Sequence, residues 1–297
     1  MKIGIVGMGS IGQRHAENAR KLGHHVVSYD PAAPSDYRFE RYLYDDKSID
    51  AVIISTPSMW HEGPLRAAIE RGKHVLIEKP ISVAEGALRQ LLTEAAYKQL
   101  VVMMGNNLRF HPSVKRAKQY VESGALGSPR WANFICATEW TSTAARDGVI
   151  LNTGSHEVDI ALYLFGPAVA LTAVAEGRIM VGGADVGPDI STDFVLQHDS
   201  GVRSTFHIDI DTTDRVRQFW ISGTEMSVQF DLDIRTVYSH KDKGTYLGGS
   251  YANDYHTEMM AFVDRIEGGE RKLGGATGEE GLDCLRTLLD VRKKAGL

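Results

Sequence analysis

Cysteine is scarce in this chain. Two occur among 297 residues, Cys136 and Cys284, at a separation that matches no metal-ligand spacing. A disulfide framework is excluded, and the usage suits a reducing compartment. No metal is expected: His207, Asp209 and Asp211 alternate along one strand, and no cysteine stands nearby to complete a ligand set. Positive charge is not in surplus either. Lys plus Arg total 33 against 38 Asp plus Glu, a net charge of −5, and the densest cationic run, Arg292-Lys293-Lys294, suits the last turn of a helix. That speaks against a nucleic-acid surface. Long apolar runs are missing too, since no window approaches the ~18 uncharged residues of a membrane-spanning helix. A first strand from Lys2 leaves no room for a leader, so the expectation is a cytoplasmic protein without membrane or nucleic-acid partners.

What the chain does have is enough apolar material, 43 % of its residues, for two domains. Residues 2–6 (KIGIV) read as a short strand, followed at once by Gly7-Met8-Gly9-Ser10-Ile11-Gly12, a helix over 13–21 and a second strand ending at Asp30. AVIIST (51–56), HVLIE (74–78) and VVMMG (101–105) are further strands, separated by helices over 61–71 and 84–98. The alternation predicts an α/β fold with a doubly wound parallel sheet. In the glycine loop Gly7 permits the tight turn, Gly9 leaves space for a dinucleotide pyrophosphate, and Gly12 lets the helix lie close to the sheet. Ser10 and Ile11 belong to the same loop on the cofactor side, and the first N–H groups of the helix that follows face the phosphates.

Asp30, 18 residues after Gly12, can accept ribose hydroxyls and would repel a 2′-phosphate. No arginine follows in Pro31-Ala32-Ala33, so NAD is favoured over NADP. Lys79 comes directly after strand 74–78, at the carboxyl edge where such sheets bind ligands; position alone makes it either a site residue or an exposed loop lysine. Thr56 and Pro57 end a strand on the same edge, and either line the nicotinamide side or only stop the strand.

The segments Ser55-Thr56-Pro57-Ser58-Met59-Trp60-His61 and Gly72-Lys73-His74-Val75-Leu76-Ile77-Glu78-Lys79-Pro80, and later Gly154-Ser155-His156-Glu157-Val158-Asp159, resemble the glucose-fructose oxidoreductase, inositol dehydrogenase and rhizopine-catabolism (Gfo/Idh/MocA) family. The resemblance covers essentially the whole chain. It implies an N-terminal Rossmann fold and a C-terminal α/β domain with a large, open, predominantly antiparallel sheet, through which members associate as homodimers or homotetramers. It implies an NAD(P)-dependent dehydrogenase or reductase acting on a secondary hydroxyl or ketone of a sugar, polyol or nucleotide sugar. It further implies that Lys79 contacts the reacting hydroxyl. Ser55, Thr56, Pro57, Glu78 and Pro80 (after a bond that is often cis) then belong to the cofactor site, with His61 orienting its loop.

The domains are expected to span 1–112 and 113–297. A helix runs from Pro112 to about Glu122. A strand over 129–140 and others over 168–180, 190–198, 202–210, 215–222, 226–231 and 234–239 predict an antiparallel-rich sheet with one apolar face for a partner subunit. Arg109 resembles the family's polar contributor from the crossover, as a substrate contact or an interdomain anchor. His156 falls in the first turn of a helix over 153–165, where a neutral histidine can take a hydroxyl proton as general base or else cap its own helix. Asn152 stands where many sugar dehydrogenases of the family carry Asp, and an amide relays no proton. A catalytically silent NAD- and sugar-binding sensor is therefore the alternative to an enzyme. Tyr255-x-x-Glu258, in a helix over 255–267, matches a family pattern near the substrate pocket, or simply packs on the sheet. Loops around 140–150 and 240–255 shape that pocket, and a last helix over 278–294 is structural.

Overall fold

A computed structural model describes residues 1–81, 84–139, 144–181, 184–239, 244–269 and 274–297. Two compact units emerge, Met1–Phe110 with Ser250–Leu282, and His111–Gly249 with Asp283–Leu297. The first begins β1 (Lys2–Val6), α1 (Ser10–Lys21), β2 (His25–Tyr29), α2 (Glu40–Asp45), β3 (Ala51–Ile54), α3 (Glu62–Glu70), β4 (His74–Glu78), α4 (Glu85–Tyr97) and β5 (Val102–Gly105). These strands form a parallel sheet in the order β5-β4-β3-β1-β2. Both faces are covered, so β3 is buried at every position, as its unbroken apolar run requires. The order reverses at β1, where β1 pairs with both β2 and β3, and the glycine loop leaves β1 at that switch point.

The second unit holds α5 (Pro112–Glu122), β6 (Pro129–Ala137), α6 (Ala144–Asn152), α7 (Gly154–Phe165), β7 (Ala168–Val181), β8 (Ala184–His198), β9 (Arg203–Asp209), β10 (Val216–Gly223), β11 (Ser227–Asp231), β12 (Thr236–Tyr238) and β13 (Thr245–Tyr246). Its eight strands run β13-β12-β11-β10-β6-β9-β8-β7, antiparallel except for the β6–β9 pair. Alternation along the strands sorts the faces. Inward, Phe194, Phe206, Phe134, Phe219 and Phe230 stack across five neighbouring strands at centroid distances of 4.4–5.2 Å. Tyr120 of α5 meets the end of this row edge-on.

The outward face is mixed rather than apolar. Trp131, Val169, Leu171 and Val174 are exposed there, but Asn133–Thr205, Gln218–Gln229 and His207–Asp193 pair across the strands. A solvated sheet face gains from such polar pairs.

The chain then returns to the first unit through α8 (Tyr251–Ile266) and β14 (Ala276–Thr277), which adds an antiparallel edge to β5. Met259 and Phe262 of α8 are fully buried in one cluster with Ile3, Ile5, Ala16, Ala19, Ile53 and Leu76. That packing corrects the single boundary at 112/113: residues 250–282 lie with the N-terminal unit because α8 completes its core. The last helix, α9 (Gly278–Lys294), begins in the first unit and ends in the second. Among the described residues no helix is long and apolar enough to cross a membrane.

Candidate active site

At the glycine loop the backbone decides the residue types. Gly7 has φ +94°, and a Cβ there would lie 2.8 Å from the Ser55–Thr56 backbone. A Cβ on Gly12 would fall 1.9 Å from the Gly7 carbonyl oxygen. Gly9, by contrast, faces open space and precedes α1 with no side-chain cap, and the first turn of that helix carries no acid. Unpaired N–H groups at this end suit an anion. Ser55 Oγ donates to the Gly7 carbonyl at 2.8 Å, tying β3 to the loop. Asp30 accepts N–H groups from Met8 (2.6 Å), Ala32 (2.7 Å) and Ala33 (3.0 Å). Burial opposes its charge, but these donors outweigh it and hold the carboxyl below its usual range. These bonds pin the carboxylate at the end of β2, beside the glycine loop.

Beyond β3, His61 Nε2 lies 3.0 Å from the Thr56 carbonyl oxygen, which fixes that loop as expected. Thr56 Oγ1 is buried and takes part in no hydrogen bond among the described residues. At the end of β4 the Lys79–Pro80 peptide is cis, and the Lys79 backbone N–H donates to Glu78 Oε2 at 3.2 Å. Glu78 Oε1 lies 2.7 Å from His15 Nε2, inside the unit. His15, Glu78 and Glu258 are the one group found among the described residues whose ligating atoms gather within 4.8 Å, a set that sequence spacing does not reveal. One signal for it was present: His15 is a polar residue on the buried stripe that Gly12, Ala16 and Ala19 define on α1.

Arg109 is only 3 % exposed and donates to Glu280 Oε1 at 2.8 Å. Glu280 in turn accepts the Thr277 N–H and donates its own N–H to Thr277 Oγ1, a capping box at the start of α9. Of the two expectations for Arg109, a substrate contact or an interdomain anchor, the structure shows a contact within the first unit, to Glu280. Asn107, a neighbour of Arg109 to which the sequence assigns no role, is 1 % exposed, and among the described residues neither end of its amide makes a hydrogen bond. Tyr255 is 4 % exposed, with its ring against His15 and under the Arg14 guanidinium, so it too is an internal group of this unit.

In the second unit Asn152 ends α6, and its carbonyl accepts Ser155 Oγ at 2.7 Å. Gly148, at φ +78°, kinks α6, and Asp189 of β8 accepts the Ile150 N–H at 2.7 Å. His156 is half-buried in the first turn of α7 as expected, its N–H donating to the Thr153 carbonyl. The next residue, Glu157, accepts Arg217 Nε at 2.8 Å. Both cysteines are buried and in no disulfide. The expected pocket loops fall partly on 140–143 and 240–243, outside the described residues.

A glycine loop at the switch point of a parallel sheet, with a pinned carboxylate at the end of β2, is the arrangement of a dinucleotide-binding unit. Residues 1–106 match the profile described as "Oxidoreductase family, NAD-binding Rossmann fold", and residues 114–229 match the "GFO/IDH/MocA C-terminal domain". The chain belongs to the Gfo/Idh/MocA oxidoreductase family, and NAD is its cofactor. It is 30 % identical to 1,5-anhydro-D-fructose reductase of Ensifer adhaerens over 85 % of this chain and 79 % of that protein. Identity to myo-inositol 2-dehydrogenase of Thermotoga maritima is 24 %, over 95 % and 91 % of the two chains. An oxidoreductase from Agrobacterium radiobacter, solved with NAD+, L-tartaric acid and magnesium, shares the fold at a TM-score of 0.86 and 16 % identity, covering 100 % of this chain and 96 % of that one. The residues fit the dinucleotide: no side chain at Gly9 obstructs its phosphates, and Asp30 is ready for its ribose.

Proposed function

We propose that this protein is an NAD-dependent dehydrogenase or reductase acting on a secondary hydroxyl or ketone of a sugar or polyol. The observation that carries the reading is Lys79 at the carboxyl edge of β4, with its backbone N–H held by the Glu78 carboxylate. When bound, NAD supplies the nicotinamide that takes or returns the hydride. Lys79 polarises the reacting oxygen, and His156 exchanges its proton. Asn152 holds no proton for a relay, so His156 acts without an acidic partner at that position. The names of the relatives, an inositol dehydrogenase and an anhydrofructose reductase among them, support the substrate class. Asp30 supports NAD over NADP by roughly 1–3 kcal/mol, the scale of one close charge repulsion in a wet site. Association of copies through the outward sheet face of the second unit belongs to the same reading, with sedimentation as a dimer or tetramer expected.

The test is a panel of polyols and sugars with NAD, read as NADH absorbance. Turnover is expected, with a fall of at least about a hundredfold in Lys79→Ala while NAD affinity stays within a few-fold. A sugar that stabilises the NAD-bound protein against heat without turnover would overturn it in favour of a sensor, the reading that Asn152 supports.

A further inference from the structure

Glu78 is the hub of a buried cluster that joins three distant segments of the first unit. Its Oε1 lies 2.7 Å from His15 Nε2 on α1, and its Oε2 accepts the backbone N–H of Lys79 at 3.2 Å. Glu258 on α8 brings a third ligating atom within 4.8 Å of the other two. Exposure is 0 % for His15, 7 % for Glu78 and 0 % for Glu258. The fold makes room for this arrangement. Gly105 pairs with Glu78 in the β4–β5 register, and a Cβ there would lie 3.0–3.1 Å from Glu78 Cδ, Cα and Oε1. Tyr255, one helical turn before Glu258, packs its ring edge-on against His15 at 5.6 Å.

Burying two carboxylates beside an imidazole is costly compared with apolar packing, and polar clusters that persist in a core restrict geometry. The geometry restricted here is that of the residue following Glu78. We infer that His15 and Glu258 are positioning residues for Lys79. His15 holds the Glu78 carboxylate at 2.7 Å, Glu258 packs within 4.8 Å of both and limits where they can move, and Glu78 accepts the peptide N–H from which the Lys79 side chain departs. The Tyr255-x-x-Glu258 pair then supports the lysine from within rather than walling a substrate pocket. This rests on the reading of Lys79 as the group at the reacting oxygen.

The test reads Lys79 directly. Reductive methylation of the full chain with 13C-formaldehyde gives each lysine a dimethylamine signal, and the Lys79 signal is the one missing from Lys79→Arg. In Glu258→Ala that signal should shift and broaden while those of the exposed Lys21 and Lys98 stay in place. Glu258→Gln, which keeps the shape and a hydrogen-bonding carbonyl, should return it toward its original position. With substrate, Glu258→Ala should lower kcat about tenfold and leave the KM for NAD within about twofold, a split that general loosening does not produce. Gly105→Ala presses on Glu78 without removing a buried carboxyl group, and should move the same signal if Glu258→Ala does not fold. An unmoved Lys79 signal in either cooperatively melting variant overturns the inference. Turnover by the parent protein separately decides the reading of function.

Discussion

Helices α1 and α7 both begin at segments to which the sequence assigns chemistry, and their first turns are built in opposite ways. α1 starts at Gly9 with no side-chain cap, no acid in its first turn and open space at the cap residue. α7 follows directly on α6, carries Glu157 in its first turn, and ties that acid to Arg217. An open start keeps its N–H groups and its partial positive charge available to an external anion. A start closed by a charged pair spends the same field on the protein's own carboxylate. The dinucleotide site is thus a property of backbone, whereas the His156 segment is a property of packing.

The largest effect should come from opening the closed start. Glu157→Ala leaves the largely buried Arg217 without this carboxylate and should cost about 3–5 kcal/mol of stability, measured by urea unfolding. A loss below about 1 kcal/mol would show that the pair does not hold α7 in place. Closing the open start is the converse experiment. Gly12→Ala puts a methyl 1.9 Å from the Gly7 carbonyl, and NAD affinity by calorimetric titration should fall at least about a hundredfold. At Gly154 on α7 the nearest atoms to a Cβ are Ile208 Cδ1 at 3.3 Å and Val149 O at 3.4 Å. There alanine should shift stability by no more than about 1 kcal/mol, its helix propensity offsetting the contact. Near-equal NAD binding by Gly12→Ala and the parent would erase the contrast.

The same division explains what the sequence discloses. The parallel strands and the glycine loop were legible because local rules make them: apolar runs of five or so residues, then a loop in which Gly7 and Gly12 stand where a Cβ would clash. The strands from β6 to β12 followed from period-two alternation to within a few residues, except that β8 starts at Ala184, six residues before the expected 190, and that β6 and β9 pair in parallel. Helix α2 escaped notice because ERYLYD buries only Leu43 and Tyr44, too little for a periodic signal. Helix α6 escaped because Gly148 breaks it in a conformation that no helical pattern anticipates. Partners far apart in sequence were hidden altogether. Nothing near Arg109 points to Glu280, and nothing near Glu78 points to His15 or Glu258. The placement of 250–282 was hidden likewise, since an amphipathic helix does not say which sheet it will cover.

A third helix start sharpens the comparison with a proton. His111 caps α5: its Nδ1 accepts the Ser113 N–H at 3.1 Å, and its Nε2–H donates to the Leu232 carbonyl at 3.0 Å. Only the neutral ring can do both. Burial, and then the Arg235 charge, push its pKa from 6.5 down to about 3. The unfolded chain therefore binds a proton that the folded chain refuses. This contribution is complete above the unfolded value of 6.5 and drains away as pH falls toward 3. Between neutrality and about pH 4.5 the loss should be roughly 2–3 kcal/mol. His111→Asn keeps a capping acceptor and should flatten that part of the pH dependence in urea unfolding. An unchanged slope in the variant would assign the acid sensitivity elsewhere.

The smallest effect on stability is expected at Asn107, and it bears on what an open group means. The first N–H groups of α1 lie behind an uncapped Gly9, while the Asn107 amide is open in the interior, 1 % exposed and hydrogen-bonded at neither end among the described residues. A buried amide left unsatisfied costs about 1–3 kcal/mol, and a fold that gained nothing from it would do better with an apolar side chain. Asn107 follows β5 at the carboxyl edge of the parallel sheet, two residues beyond the Gly105 that pairs with Glu78. If the amide is kept for a bound molecule, removing it should separate stability from function. Asn107→Leu, nearly equal in volume, should leave unfolding free energy unchanged or raise it by up to ~1 kcal/mol. Its kcat/KM for the polyol should fall at least about tenfold, since a site that loses a hydrogen-bonding group leaves the ligand's own polar atom unmatched. Both measurements are needed. A variant less stable than the parent by more than about 1 kcal/mol would mean that the amide already has its partner within the folded protein. Undiminished turnover would mean that the open amide serves no ligand, and that openness alone does not mark a site in this fold.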